Sequence, residues 1–208
     1  MPETVKEIFA FQFAEGLPMA TNKLSKAYME YTGRVSSPDM AISIEAAAFL
    51  WVLCENLQPN SILDLGSGFS SFVFRSYAST RSATIRTVDD DPRWLERTTE
   101  FLSAHRLPTE NMTIWGEAAL KSTDLFDLIF YDLGGMDTRA REFPILLQQV
   151  AHKTVLVLDD MHKEEYIPAV EQELRAGRWR YFDAGLYTMD HYGRFCGVVL
   201  SAAHPLLR

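Results

Sequence analysis

Ser61-Ile-Leu-Asp64-Leu-Gly66-Ser-Gly68-Phe-Ser-Ser71 is the stretch on which the fold turns. Ile62 and Leu63 close a short apolar run after Pro59-Asn60, Gly66 and Gly68 follow, and Phe72 to Ala78 then reads as a helix. Strand, tight glycine turn and helix start, in that order, are the context in which a glycine motif carries meaning. Lacking Cβ, Gly66 and Gly68 let the backbone take positive φ and let a ligand lie against it. The sequence therefore predicts a cradle, with Ser70 or Ser71 capping a helix whose amides and dipole point into the same crevice.

Two features narrow what the cradle holds. A dinucleotide fingerprint wants a third glycine where Ser71 stands, and it expects a pyrophosphate at the helix end. Asp64, two positions ahead of Gly66, repels a phosphate and attracts an ammonium group. The pattern Asp64-x-Gly66-x-Gly68 resembles motif I of the class I S-adenosylmethionine-dependent methyltransferases, where the loop holds the methionine moiety of the cofactor; Ser70 stands where the fullest form carries a further glycine. The resemblance runs from about Ser61 to Leu200. It implies an α/β fold: a Rossmann-like, doubly wound, seven-stranded sheet with a C-terminal antiparallel hairpin and an N-terminal helical cap.

With 208 residues the chain suits one domain with a sizeable core. Hydrophobic residues at 47% and charged ones at 23% exclude disordered and fibrous classes. No apolar run reaches the length of a membrane span, since Glu45 and Glu55 bracket the longest. Met1 to Glu7 lacks the layout of a signal peptide, so a cytoplasmic protein is expected. Cys54 and Cys196 carry neither metal nor disulfide spacing. A net charge of −8 without a basic cluster argues against a nucleic-acid partner and for a small-molecule one. The oligomeric state is not written in these residues, and a homodimer stays open.

Residues 1–58 show helical periodicity, with an aromatic-rich start, a helix signal at Ser37-Pro38-Asp39 and a strongly apolar helix over Ala41 to Leu57. We expect a cap belonging to the same domain, either roofing the crevice or simply packed on the sheet, with 59–208 as the cofactor-binding part. Ala83 to Val88 is a strand ending in Asp89, and Pro92 opens the next helix, with Asp90 and Asp91 suited to its cap. Asp89 follows Asp64 at close to the spacing of about 20 residues at which such folds reach a ribose, and it matches the motif II acid of the resembled family. Met112 to Trp115 is a third strand; the resemblance places Glu117 near the adenine amine, with Trp115 beside the ring or in the core.

Phe126 to Asp132 and Thr154 to Asp160 are near-continuous apolar runs ending in acid, which read as central parallel strands whose carboxyl ends face the ligand crevice. After a helix over Glu164 to Ala176, Arg180 to Met189 and Arg194 to Leu200 read as a hairpin turning at Asp190 to Gly193. Asp132 thus joins Asp64, Asp89, Asp159 and Asp160 at one edge, a gathering that calls for a compensating cation.

The resemblance implies transfer of a methyl group to an oxygen or nitrogen of a small molecule. Asp132, Asp159 and Asp160 resemble the metal-binding set of catechol-type O-methyltransferases, and their hard oxygens suit Mg²⁺ or Ca²⁺. Asp160 stands where that family usually has Asn, and Gly135 where it has a catalytic lysine. The other candidates for moving the acceptor's proton are His162, two residues past Asp160, and then His191 in the hairpin turn. Arg139, Arg141 and Arg194 are candidates for holding a substrate carboxylate. The rival readings are a non-catalytic S-adenosylmethionine-binding protein and a nucleotide-dependent oxidoreductase of similar fold.

Overall fold

The computed structural model describes residues 3–9, 13–116, 125–148, 150–175 and 177–207. Its strands are β1 (Glu3–Thr4), β2 (Ser61–Leu65), β3 (Thr84–Asp89), β4 (Met112–Ile114), β5 (Leu128–Tyr131), β6 (Val155–Leu158), β7 (Trp179–Asp183) and β8 (Gly197–Ser201). The helices are α1 (Phe13–Arg34), α2 (Ile44–Leu57), α3 (Phe69–Ala78), α4 (Pro92–Ala104), α5 (Met136–Leu147), α6 (Ile167–Leu174) and α7 (Gly185–Thr188).

The strands form a single eight-stranded sheet in the order β1-β7-β8-β6-β5-β2-β3-β4. β2 pairs in parallel with both β3 and β5, β5 with β6 in the same sense, and β8 enters antiparallel between β6 and β7. From β2 the chain winds outward to β3 and β4, then returns to β5 and winds the other way. The carboxyl ends of β2 and β5 are therefore the switch point, where an open α/β sheet holds its ligand. The eighth strand is the two-residue β1, added in parallel to β7 and fastened by an Arg180–Glu3 ion pair.

The central strands are buried on both faces. Ile62, Leu128, Phe130, Val155 and Val157 pack with Phe49, Phe74 and Phe101 on one side, while Leu63, Leu65, Ile129, Leu156 and Leu158 meet Phe143, Leu146 and Val170 on the other. Such strands read as continuous apolar runs. Helix α2 is buried from Ala46 through Cys54, as a helix apolar on every side must be.

Several boundaries move from the sequence expectation. α2 begins at Ile44, capped by Ser43, whose hydroxyl accepts from the Ala46 amide at 3.0 Å, and not at Ala41; such a cap contributes about 1 kcal/mol. α3 begins at Phe69, with Gly68 in the cap position. The first strand of the hairpin stops at Asp183, and α7 fills the stretch expected to remain extended. There Asp183 turns its carboxylate onto the Gly185 amide at 2.6 Å and halts the ladder. Among the described residues no helix is long and apolar enough to cross a membrane.

Candidate functional site

The glycine loop is shaped from beneath. Asp64 is fully buried, and its position on β2 aims it at the face covered by α3. Its Oδ1 accepts from Ser70 at 2.7 Å, and its Oδ2 from Ser71 at 2.5 Å and Thr87 at 3.1 Å. Ser70 and Ser71 are thus spent on Asp64, although Ser71 also accepts from the Gly68 amide at 3.3 Å. The expected offer of the Asp64 carboxylate to an ammonium group does not match this geometry, because the carboxylate has no exposed surface. Burial pushes it up to about 6, opposed by the three hydroxyls and by Arg75.

Gly66 has φ +103°, and a Cβ there would lie 2.4 Å from the Asp132 carbonyl oxygen. Only glycine lets the β2 loop come this close to the end of β5. Gly68 has φ 174°, which any residue adopts, so the positive φ expected for it is not found; the nearest neighbour of a Cβ there would be the Tyr31 hydroxyl at 3.4 Å.

Asp89, at the end of β3, grips the same loop from above. One carboxylate oxygen accepts from the Ser67 amide at 2.5 Å and the Ser67 hydroxyl at 2.7 Å, and the other from the Asp91 amide at 2.8 Å. Burial raises its pKa, and these donors oppose the rise. Asp91 caps α4 as expected, accepting from the Arg93 amide at 2.8 Å. Asp90 does not serve the cap: it is exposed on the cavity wall, and its carboxylate lies where only a glycine fits at 134, whose φ is +57°.

Between these loops lies a cavity of about 530 Å³ at the carboxyl ends of β2, β3 and β5. Gly66 to Ser70 form its floor, Asp89 and Asp90 one side, and Asp132 with Gly134 and Gly135 the other. Tyr31, Met40 and Ile42 reach over from the N-terminal segment, and Trp94 stands at the α4 side. Arg194 fixes the overhang. It binds Asp190 at 2.7 Å and donates to the carbonyls of Pro38, Asp39 and Ala41 at 2.8 to 3.0 Å. With these donors committed to the chain itself, Arg194 is a strut and not the expected substrate clamp.

The second acid group sits at the ends of β5 and β6. Asp132, Asp159 and Asp160 each offer an oxygen within 4.8 Å of the others. The compensating cation is the chain's own. Arg139, buried in the first turns of α5, bonds Asp132, reaches Asp160 at 3.0 Å and donates from Nε to the Gly134 carbonyl at 3.3 Å. Burial works against its charge, but Asp132, Asp160 and Asp159 outweigh that and raise its pKa. Asp159 accepts from the Cys196 thiol at 3.3 Å, and burial together with Asp160 pushes it up to about 6. Asp132 and Asp160 are thus committed to a guanidinium, and the residues present do not fit the expected Mg²⁺ or Ca²⁺ unless Arg139 leaves.

His162 places Nδ1 3.7 Å from Asp160; that nitrogen is buried without a hydrogen-bond partner among the described residues, and burial lowers its pKa. His162 does not line the cavity. Neither does His191, which is exposed with its ring 3.8 Å from that of Tyr192. Arg141 is exposed beside Glu142. Trp115 packs half-buried against the core on the α5 side, while Trp94, which sequence reasoning passed over, faces the cavity. Glu117 lies outside the described residues.

No protein-family model matches the sequence, and no curated protein matches it either. Solved structures do. The O-methyltransferase TomG from Streptomyces achromogenes, in complex with S-adenosylmethionine, superposes with a TM-score of 0.61 at 20% identity over 88% of this chain and 89% of that one. A Podospora anserina methyltransferase bound to S-adenosylhomocysteine gives 0.67 at 15% identity over 93% and 97%. An O-methyltransferase from Bacillus cereus, also in complex with S-adenosylhomocysteine, gives 0.58 at 16% over 90% and 91%. The chain has the class I methyltransferase fold.

Proposed function

We propose that the chain is an S-adenosylmethionine-dependent methyltransferase acting on an oxygen or nitrogen of a small molecule. One observation carries this reading: the cavity at the switch point of a methyltransferase sheet is floored by the Gly66 loop and walled by Asp89 and Asp90. When bound, S-adenosylmethionine supplies a methyl group on a cationic sulfur. Asp89, Asp90 and Asp91 on the β3 side of the lining suit a ligand with positive charge, while Asp132 on the far side is paired with Arg139, which also lines the cavity.

Within that reading the backbone of Gly66 to Gly68 lies along the aminoacyl end, with Asp64 acting beneath it as a buttress. Asp89 would accept from the ribose hydroxyls. Transfer is an in-line displacement in which the new bond to the acceptor forms as the carbon–sulfur bond breaks. The protein contributes chiefly by holding the two partners in contact and keeping water out. Tyr31, Met40 and Ile42 do the latter, closing the cavity from above. The acceptor's proton is assigned to His162, whose burial favours the neutral, accepting form; because its ring does not line the cavity, the proton must reach it through water or the neighbouring Asp160.

Calorimetric titration decides the class. S-adenosylmethionine and S-adenosylhomocysteine are expected to bind and NAD to give no heat; the reverse result removes the assignment. His162→Gln is expected to lower kcat and abolish the acidic limb of its pH profile. An unchanged profile eliminates His162 as the base.

A further inference from the structure

Three carboxylates at the ends of neighbouring parallel strands have the make-up of a divalent-cation site, and hard oxygen donors suit such ions. In this chain one oxygen of Asp132 and one of Asp160 are already in use. Arg139 spans Asp132 and Asp160, the two carboxylates that a chelated ion would need together. An ion of the Mg²⁺ type holds its oxygens at about 2.1 Å, and drawing the second oxygen of each carboxylate around it would pull both away from the guanidinium. Its charge would also add to that of a buried arginine, where like charges repel strongly.

The guanidinium is held from several sides. Arg139 donates to the carbonyls of Gly134 and Asp132 at 3.3 Å, and its own carbonyl accepts from the Tyr131 hydroxyl at 2.9 Å. Swinging it out would break these contacts and leave two partly buried carboxylates unpaired. Asp159, bonded to the Cys196 thiol, is the one member that Arg139 does not bond. A single carboxylate is a poor metal site.

We propose that Arg139 is the resident cation of the Asp132–Asp159–Asp160 cluster and excludes divalent metal from it, so that methyl transfer by this protein runs without one. The last clause rests on the methyltransferase reading; the exclusion of metal stands apart from it. Arg139 here is a positioning residue, fixing Asp132 on the cavity wall and Asp160 beside His162.

The test is a Mn²⁺ titration of the wild type, Arg139→Gln, Arg139→Ala and Arg139→Lys, followed by the electron paramagnetic resonance of free Mn²⁺, with circular dichroism to confirm folding. The wild type is expected to bind no Mn²⁺ at millimolar concentration. Arg139→Gln, with the cluster vacated, is expected to bind at least about tenfold more tightly and to be stabilised against heat by the ion, because carboxylates clustered within 4.8 Å and left unpaired demand a counter-charge. If Arg139→Gln does not fold, Arg139→Ala, which likewise removes the cation, carries the same expectation, while Arg139→Lys keeps a positive charge in the cluster and is expected to bind no Mn²⁺. Mn²⁺ binding by the wild type overturns the proposal, and so does failure of folded Arg139→Gln or Arg139→Ala to gain it. S-adenosylhomocysteine binding is measured on the same samples: its absence sinks the methyltransferase reading while the Mn²⁺ result still decides the cluster. With binding intact, turnover is expected to be insensitive to chelator, and a chelator-sensitive enzyme overturns the final clause.

Discussion

At the glycine-loop end of the cavity Asp64 and Asp89 are held by hydroxyls and backbone amides, whereas across the switch point Asp132 and Asp160 are held by a guanidinium. Both solutions satisfy buried carboxylates, but they leave different fields behind. Neutral donors stabilise the charge without cancelling it, so the β2–β3 side still attracts a cation. An ion pair cancels most of it. The difference separates the wall that would hold a cationic cofactor from the wall beside the acceptor.

The largest loss on substitution should come from removing the counter-charge. Arg139→Met leaves two partly buried carboxylates unpaired and is expected to cost about 2–3 kcal/mol in urea unfolding, with part recovered in the Arg139→Met/Asp132→Asn pair. A loss no larger than at an exposed arginine would erase the distinction between the two ends. At the other end the signature is a pH dependence. Burial lifts folded Asp64 from near 3.8 to about 6, so its ionised form is the costly one. That penalty is absent below the lower value and complete above the higher, so stability falls as pH rises through the window, by on the order of 3 kcal/mol from this group. Asp64→Asn should shrink the fall, leaving the shares of Asp89, Asp132 and Asp159, which burial also raises, and superimposable pH curves would refute the assignment.

Backbone comes next. Gly66→Ala meets both positive φ and the Asp132 carbonyl and should cost about 1–3 kcal/mol, while Gly68→Ala, extended and clear of backbone, should leave thermal unfolding almost unmoved. Equal effects would remove the claim that the loop touches β5 at Gly66. The smallest change concerns ligand affinity. Asp89→Asn loses charge and one of the two acceptor oxygens that hold the Ser67 and Asp91 amides, so S-adenosylhomocysteine should bind roughly tenfold more weakly with about 1 kcal/mol lost in unfolding.

The strand–loop–helix unit and the acid after β3 are legible in the sequence because glycine, proline and a terminal carboxylate each restrict the local backbone. The direction of Asp64 is not. In a sheet covered on both faces Ile62, Leu63, Asp64 and Leu65 are all buried, so no apolar–polar alternation reveals which face a side chain takes. The triad at β5 and β6 is likewise visible as a set of strand ends. Its occupant is not, because Arg139 reaches it from a helix whose rotation on the sheet is fixed by Phe143 and Leu146, far from the acids in sequence pattern. Asp90 was assigned to a helix cap by its neighbours' chemistry, and Gly134, which makes room for it, is distant in the chain.

The Arg194 strut ties the last turn of the chain to the segment over the cavity. A molecule entering past Met40 must either lift the 38–41 and 190–194 segments as one lever or first sever several hydrogen bonds and a salt bridge. The cheaper gate is then on the opposite rim, between Trp94 and the 134–135 turn, and a bulky residue at Gly135 would slow exchange where one at Met40 would not.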